Sequence, residues 1–144
     1  KAVIGSNFML EDSIPKIKWR ITNENREIAG FNCRKAVGVI MDSVYVFAFY
    51  TDEIMIPGGP CTLNGLPGMI LGVTIPRLYT SFIATKVMVN GVKEDEIKPA
   101  PAKKYSTRTE MKKLIADRMS EWGGNNDDEN AKHWLNQFVW SSML

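Results

Sequence analysis

The stretch Ile28–Thr51, IAGFNCRKAVGVIMDSVYVFAFYT, decides the fold. It holds two β-rich arms, Ile28 to Ile40 and Val44 to Thr51, separated by Met41-Asp42-Ser43, a connection short enough for a tight hairpin. In the second arm Val44, Val46, Ala48 and Tyr50 share one face and Tyr45, Phe47 and Phe49 the other, because successive side chains of a strand alternate. Both sets are apolar, which predicts a central strand covered on both sides.

Upstream, Phe8 and Leu10, then Ile17, Trp19 and Ile21, alternate with polar neighbours as strands with one buried face do, and Asn23-Glu24-Asn25 breaks the alternation as a turn. Downstream, strands are expected over about 69–75 and 80–89, with a turn at Pro76-Arg77 between them and Asn90-Gly91 closing the second. Residues 57–68 hold three prolines and four glycines. Proline fixes φ and glycine reaches positive φ cheaply, so this segment is expected to be an ordered irregular loop with Gly65 or Gly68 at positive φ.

From Thr107 the pattern turns helical. Thr107 and Glu110 have capping-box spacing, Met111, Leu114, Ile115, Met119 and Trp122 fall on one stripe, and Gly123 suits a left-handed stop. A second helix is expected over 128–140, with Trp134, Leu135 and Phe138 on its buried side. The fold class is therefore α+β, an antiparallel β meander with C-terminal helices packed on one face or end. Residues 1–144 are expected to form one domain, with a β-rich core over 1–97, a linker over 98–106 and a helical segment over 107–144.

Apolar residues make up 44% and charged residues 24% of the 144, the balance of a globular chain and neither of a disordered nor of a membrane-spanning one. The longest apolar run, Val44 to Tyr50, is far short of the roughly 20 residues that cross a bilayer. Residues 1–20 show no apolar centre of a signal peptide. The 18 basic and 16 acidic side chains are interspersed, so no field steers a polyanion and nucleic acid is not an expected partner. Oligomeric state is open.

Catalytic chemistry is disfavoured. The single histidine, His133, has no partners at metal-ligand spacing and no nucleophile signature near it. Asp52 and Glu53 are neighbours on an extended segment and point apart, so they read as a solvated strand end and not as a dyad. Asn125-Asn126-Asp127-Asp128-Glu129 lacks the glycine and alternating ligands of a calcium loop and reads as helix capping. The eight methionines are dispersed as core fillers, and the glycines carry no phosphate-loop lysine, so no metal or other cofactor is expected. The constrained 57–68 loop is left as the surface able to present a binding site. Its candidate contacts are Pro57, Gly65, Leu66, Pro67 and Gly68, with Tyr50 and Ile54 beside them.

Gly65-Leu66-Pro67-Gly68-Met69-Ile70-Leu71 resembles the motif that names the GLPGLI family. Trp19-Arg20-Ile21, Ile28 to Ala36, the aromatic strand ending Phe49 to Ile54, and Gly59-Pro60 agree with it in order and spacing, while Phe49 and Cys61 stand where tryptophan and an aromatic residue are usual. The resemblance implies an exported Bacteroidota protein, periplasmic, outer-membrane-associated or extracellular, with no established activity and often encoded near outer-membrane transporters. It also implies a further N-terminal β portion ahead of this segment. The corresponding function is an envelope binding or accessory module working beside such a transporter. The alternatives are a structural assembly domain, or an accessory part of a hydrolase or glycan-processing protein whose catalytic residues lie elsewhere. An exported location would let Cys33 and Cys61 oxidise, which makes them a candidate disulfide.

Overall fold

The computed structural model describes residues 13–97 and 105–121 together with the short paired segments 2–3, 6–7 and 9–10. The chain divides into two compact units, residues 14–96 and residues 1–13 with 97–144. In chain order the strands are β1 (Ala2–Val3), β2 (Ser6–Asn7), β3 (Met9–Leu10), β4 (Trp19–Ile28), β5 (Phe31–Ile40), β6 (Val44–Thr51), β7 (Met69–Ile75), β8 (Thr80–Ile83) and β9 (Tyr105–Ser106). The one helix of appreciable length among the described residues is α1 (Arg108–Glu121).

The larger unit is a five-stranded antiparallel meander in the order β4-β5-β6-β7-β8. Strand β6 lies at its centre because Val, Phe and Tyr fill a pleated surface better than any other run in the chain. One face of β6 is fully buried: Val44, Val46 and Ala48 have no exposure and Tyr50 has 2%. Ala36, Val73 and Ile75 continue that interior across β5 and β7. The expectation that β6 is covered on both faces needs correction. Tyr45 is 60% exposed, and Phe47 and Phe49 are only half-buried. Phe49 packs against the buried cluster of Ile28, Cys33 and Leu71, and cationic side chains lie over both rings: the Arg26 guanidinium sits 4.7 Å from the Phe49 ring centre and the Lys35 ammonium 5.3 Å from that of Phe47. Lys35 is also paired with Glu24 at 2.8 Å.

The turn expected at Asn23-Glu24-Asn25 does not exist. β4 runs through it with a register shift between Ile21 and Asn25, where the polar residues are absorbed as extra length on β4. The reversal comes instead at Ala29-Gly30, so the arm read as Ile28 to Ile40 is split, with Ile28 ending β4 and Phe31 opening β5. Both loop residues have positive φ, 51° for Ala29 and 83° for Gly30, the conformation that two-residue hairpins with right-handed strand twist demand. Glycine adopts it freely, whereas alanine is strained by about 1 kcal/mol or more. Ala29→Asn is therefore expected to raise the unfolding free energy by about 1 kcal/mol, read from the urea midpoint at unchanged slope. A lower midpoint would refute this account of the turn.

β8 is shorter than the expected strand over 80–89, ending at Ile83, and residues 84–92 are irregular. The turn at Pro76-Arg77 is a 3-10 turn over Pro76–Leu78, with proline in its first turn and Tyr79 in the left-handed conformation at its end.

In the smaller unit β1 pairs with β2 antiparallel and β3 with β9 in parallel, so Tyr105 and Ser106, expected in a linker, form a strand. The capping box at α1 is present in full: Thr107 N donates to Glu110 Oε2 at 2.9 Å and Glu110 N donates to Thr107 Oγ1 at 3.2 Å. Met111 and Ile115 are buried on the helix stripe, but Leu114 is 37% exposed and does not belong to the docked face. The second helix expected over 128–140, residues 98–104 of the expected linker, Trp122, Gly123, the 125–129 run and His133 lie outside the described residues. With few helices among them, the described architecture is mostly antiparallel β with a short helix in the C-terminal region.

Candidate functional site

The 57–68 loop is built as part of the core. Leu63 and Leu66 are each 2% exposed, and Gly58 sits beside Met69 in a parallel bridge, its carbonyl accepting from Ile70 N at 2.8 Å. Leu63 N donates to the Pro60 carbonyl at 3.2 Å, and the Asn64 side-chain amide donates to the Thr62 carbonyl at 2.9 Å. Trp19 ties the loop to the sheet, its indole N–H donating to the Asn64 carbonyl at 2.7 Å. Gly68 N donates to the Leu66 carbonyl at 2.9 Å, a three-residue turn centred on Pro67, whose fixed φ suits it. Gly65 and Gly68 both have positive φ, 92° and 150°.

These contacts scatter the candidate binding residues. Tyr50, Leu66 and Gly68 are buried in the interior, while Pro57, Gly65 and Pro67 are exposed. Ile54 is the one candidate that lines an open groove of about 920 Å³ in the sheet unit. Met69, Ile70 and Leu71 of β7 lie along the groove, with Ile56, Gly59 and Pro60 from the preceding loop. Phe82 and Ile83 of β8 join them, and the irregular segment after β8 completes the lining with Val87, Met88, Val89 and Val92. Lys86 is the one ionisable residue among those that line it. The sequence does not reveal this groove, because residues 84–89 read as the continuation of the strand expected over 80–89, whereas that strand ends at Ile83.

Glu53 Oε1 accepts from Asn32 N at 3.0 Å, so of the acidic pair after β6 Glu53 ties the start of β5 to the end of β6. Among the described residues no three His, Cys, Asp or Glu side chains come together as a metal site, and no helix is long and apolar enough to cross a membrane.

The candidate Cys33–Cys61 bridge is absent, and both thiols are free. Cys33 is buried with Ile28 and Leu71, against Phe31 and Phe49, its Sγ donating to the Phe31 carbonyl at 3.5 Å. Cys61 is exposed in the loop at φ 58°. Burial pushes the Cys33 thiol above its ordinary pKa; a backbone hydrogen bond from Ile28 offsets part of that, and the Glu53 carboxylate adds a smaller upward push. At pH 8 an alkylating reagent should modify Cys61 rapidly and Cys33 only as fast as the chain unfolds. Two fast thiols in the native protein, or none, would contradict this arrangement. Since the folded pKa is raised, the thiol's contribution to stability is whole below its ordinary, unfolded value of 9.0 and is lost as pH climbs through the folded value.

A family model described as N-glycanase peptide, N-terminal domain, matches residues 7–114. Neither a curated protein nor a solved structure matches the chain. The family match overturns the resemblance to the GLPGLI family, and the transporter association implied by that resemblance goes with it. A physical reason for the misleading motif is local. Leu66 must be buried, Pro67 must centre a tight turn, and Gly68 must pass a backbone carbonyl at positive φ, so a Gly-Leu-Pro-Gly string meets a need of this loop without implying descent.

Proposed function

The chain belongs to the family of N-glycanase peptide N-terminal domains, and from that premise we propose that it is a non-catalytic accessory domain of a protein that processes N-linked glycans. The observation that carries this reading is the extent of the match, which runs through every strand from β4 to β8 and into α1. Catalytic groups are then supplied by residues outside these 144, and this domain contributes binding or positioning. On this reading the protein is exported and works where glycoproteins are met, and cell fractionation checks that location.

Activity is tested in two arms. The chain alone, incubated with an asparagine-linked glycopeptide, is expected to release no glycan. Turnover abolished by one point substitution within residues 1–144 would show that the domain is itself catalytic. In the complete protein, deleting this domain is expected to lower glycan release, and an unchanged rate would remove the accessory role.

A further inference from the structure

The β8 edge of the meander, unpaired among the described residues, and the groove beside it form one feature. β8 is the last strand of the sheet among the described residues. Ala84 N donates to the Leu71 carbonyl at 2.8 Å, and Val73 lies opposite Phe82 and Ile75 opposite Thr80 in the same register. Antiparallel pairs alternate between hydrogen-bonded and non-bonded, so the bonded pairs toward β7 are those of Ala84, Phe82 and Thr80. The intervening Ser81 and Ile83 therefore point their N–H and C=O groups away from β7, along the open edge. The side-chain contact between Thr74 and Ser81, 3.3 Å between hydroxyl oxygens, fits the closer approach of a non-bonded pair. Beside this edge lies the groove, with Ile54, Ile56, Leu71, Phe82 and Val89 on its apolar walls and Lys86 as its single charge.

We infer that β8 and the groove receive an extended segment of another polypeptide, which adds as a strand to the outward groups of Ser81 and Ile83, lays apolar side chains in the groove and places a carboxylate on Lys86. Three observations select this occupant. The edge offers paired donors and acceptors at strand spacing, which an acyl chain cannot use. The charge of the lining is of one sign, so its complement is an acidic group within an otherwise apolar segment. A second copy of this chain does not fit, because a two-fold contact would set one concave groove against another. A strand pair as short as the four residues of β8 also falls well below the roughly 1,200–2,000 Å² that stable interfaces bury. The inference goes beyond the accessory reading and rests on the edge and groove alone. It is tested without any glycan, so either claim stands if the other fails.

The probe is a ten-residue synthetic peptide alternating valine and threonine and ending in glutamate, followed by backbone amide NMR and calorimetry on the 144-residue chain. Shifts are expected to concentrate at residues 80–89 and 54–60. N-methylating the peptide amides that face the strand should weaken binding at least about tenfold, since the added strand then loses its donors. Ile83→Pro should do the same while leaving the ladder to β7 in place, because that amide points outward. Lys86→Glu should weaken the glutamate-ended peptide about fivefold and strengthen a lysine-ended one. Equal affinity for the N-methylated peptide, or no binding by a peptide while laurate binds, would overturn strand addition. So would sedimentation showing a dimer whose shifts fall on β8.

Discussion

Gly68→Ala is expected to cost at least about 4 kcal/mol, most of the margin of a domain at the low end of the usual range of about 5–15 kcal/mol. Gly68 has φ 150°, a region that residues with a Cβ rarely occupy, and that strain alone is worth about 1–3 kcal/mol. The larger part is steric. A Cβ built there overlaps the carbonyl oxygen of Thr51 and lies 2.8 Å from its carbonyl carbon and 3.1 Å from the Cα of Asp52. All three are backbone atoms at the end of β6, where Thr51 is fully buried and pairs with Met69, so they cannot swing aside without opening the β6–β7 ladder. Gly65→Ala separates the two effects. It has φ 92°, but its Cβ would meet nothing nearer than the Trp19 indole nitrogen at 3.5 Å, so it should lose only about 1–2 kcal/mol. Urea midpoints for the two variants, with circular dichroism to detect an unfolded Gly68→Ala, provide the comparison. If Gly68→Ala unfolds within about 1 kcal/mol of the parent, the close approach to Thr51 is wrong.

The parts of the fold that were legible in the sequence are those where one period dominates. β6 and β7 announce themselves by dense Val, Ile and Phe, and α1 by Thr107 and Glu110 at the spacing its capping needs. The β4–β5 reversal was missed because its first loop residue is Ala29, where asparagine or aspartate usually signals positive φ. The polar run Asn23-Glu24-Asn25 misled for the complementary reason: on an edge strand with a bulge, polar residues cost nothing and need not turn.

The candidate site was legible only in part. Sequence patterns locate constrained backbone, and the 57–68 loop is constrained, but constraint there serves burial of Leu63 and Leu66 and not a free surface. Ile54 was named for its place beside the loop, and it reaches the groove through the loop's return past Met69, a long-range pairing that no local window contains. The groove's other wall, residues 84–92, follows a strand that stops early, and nothing in a single sequence marks Ile83 as its last residue.

Trp19 is the remaining position at which one side chain holds distant parts of the sheet unit together. Its indole lies over Gly38 of β5, where an added Cβ would meet ring carbons at 2.8 and 2.9 Å, so that glycine is required by the ring and not by its own backbone. The same ring reaches the loop, donating its N–H to the Asn64 carbonyl at 2.7 Å and lying 3.5 Å from the Cβ position of Gly65. Trp19→Ala removes the packing and leaves the Asn64 carbonyl without its donor, an expected loss of about 3 kcal/mol for a partly exposed tryptophan. Trp19→Phe keeps most of the ring over Gly38 and loses the donor, so it should cost only about 1 kcal/mol more than a neutral change. Hydrogen exchange adds a local readout: in both variants amides of residues 63–68 should exchange faster, while those of β6 follow global stability alone. Equal denaturation midpoints for the two variants would mean that the ring does not pack over Gly38. Unchanged exchange at 63–68 in Trp19→Phe would mean that the indole hydrogen bond does not hold the loop.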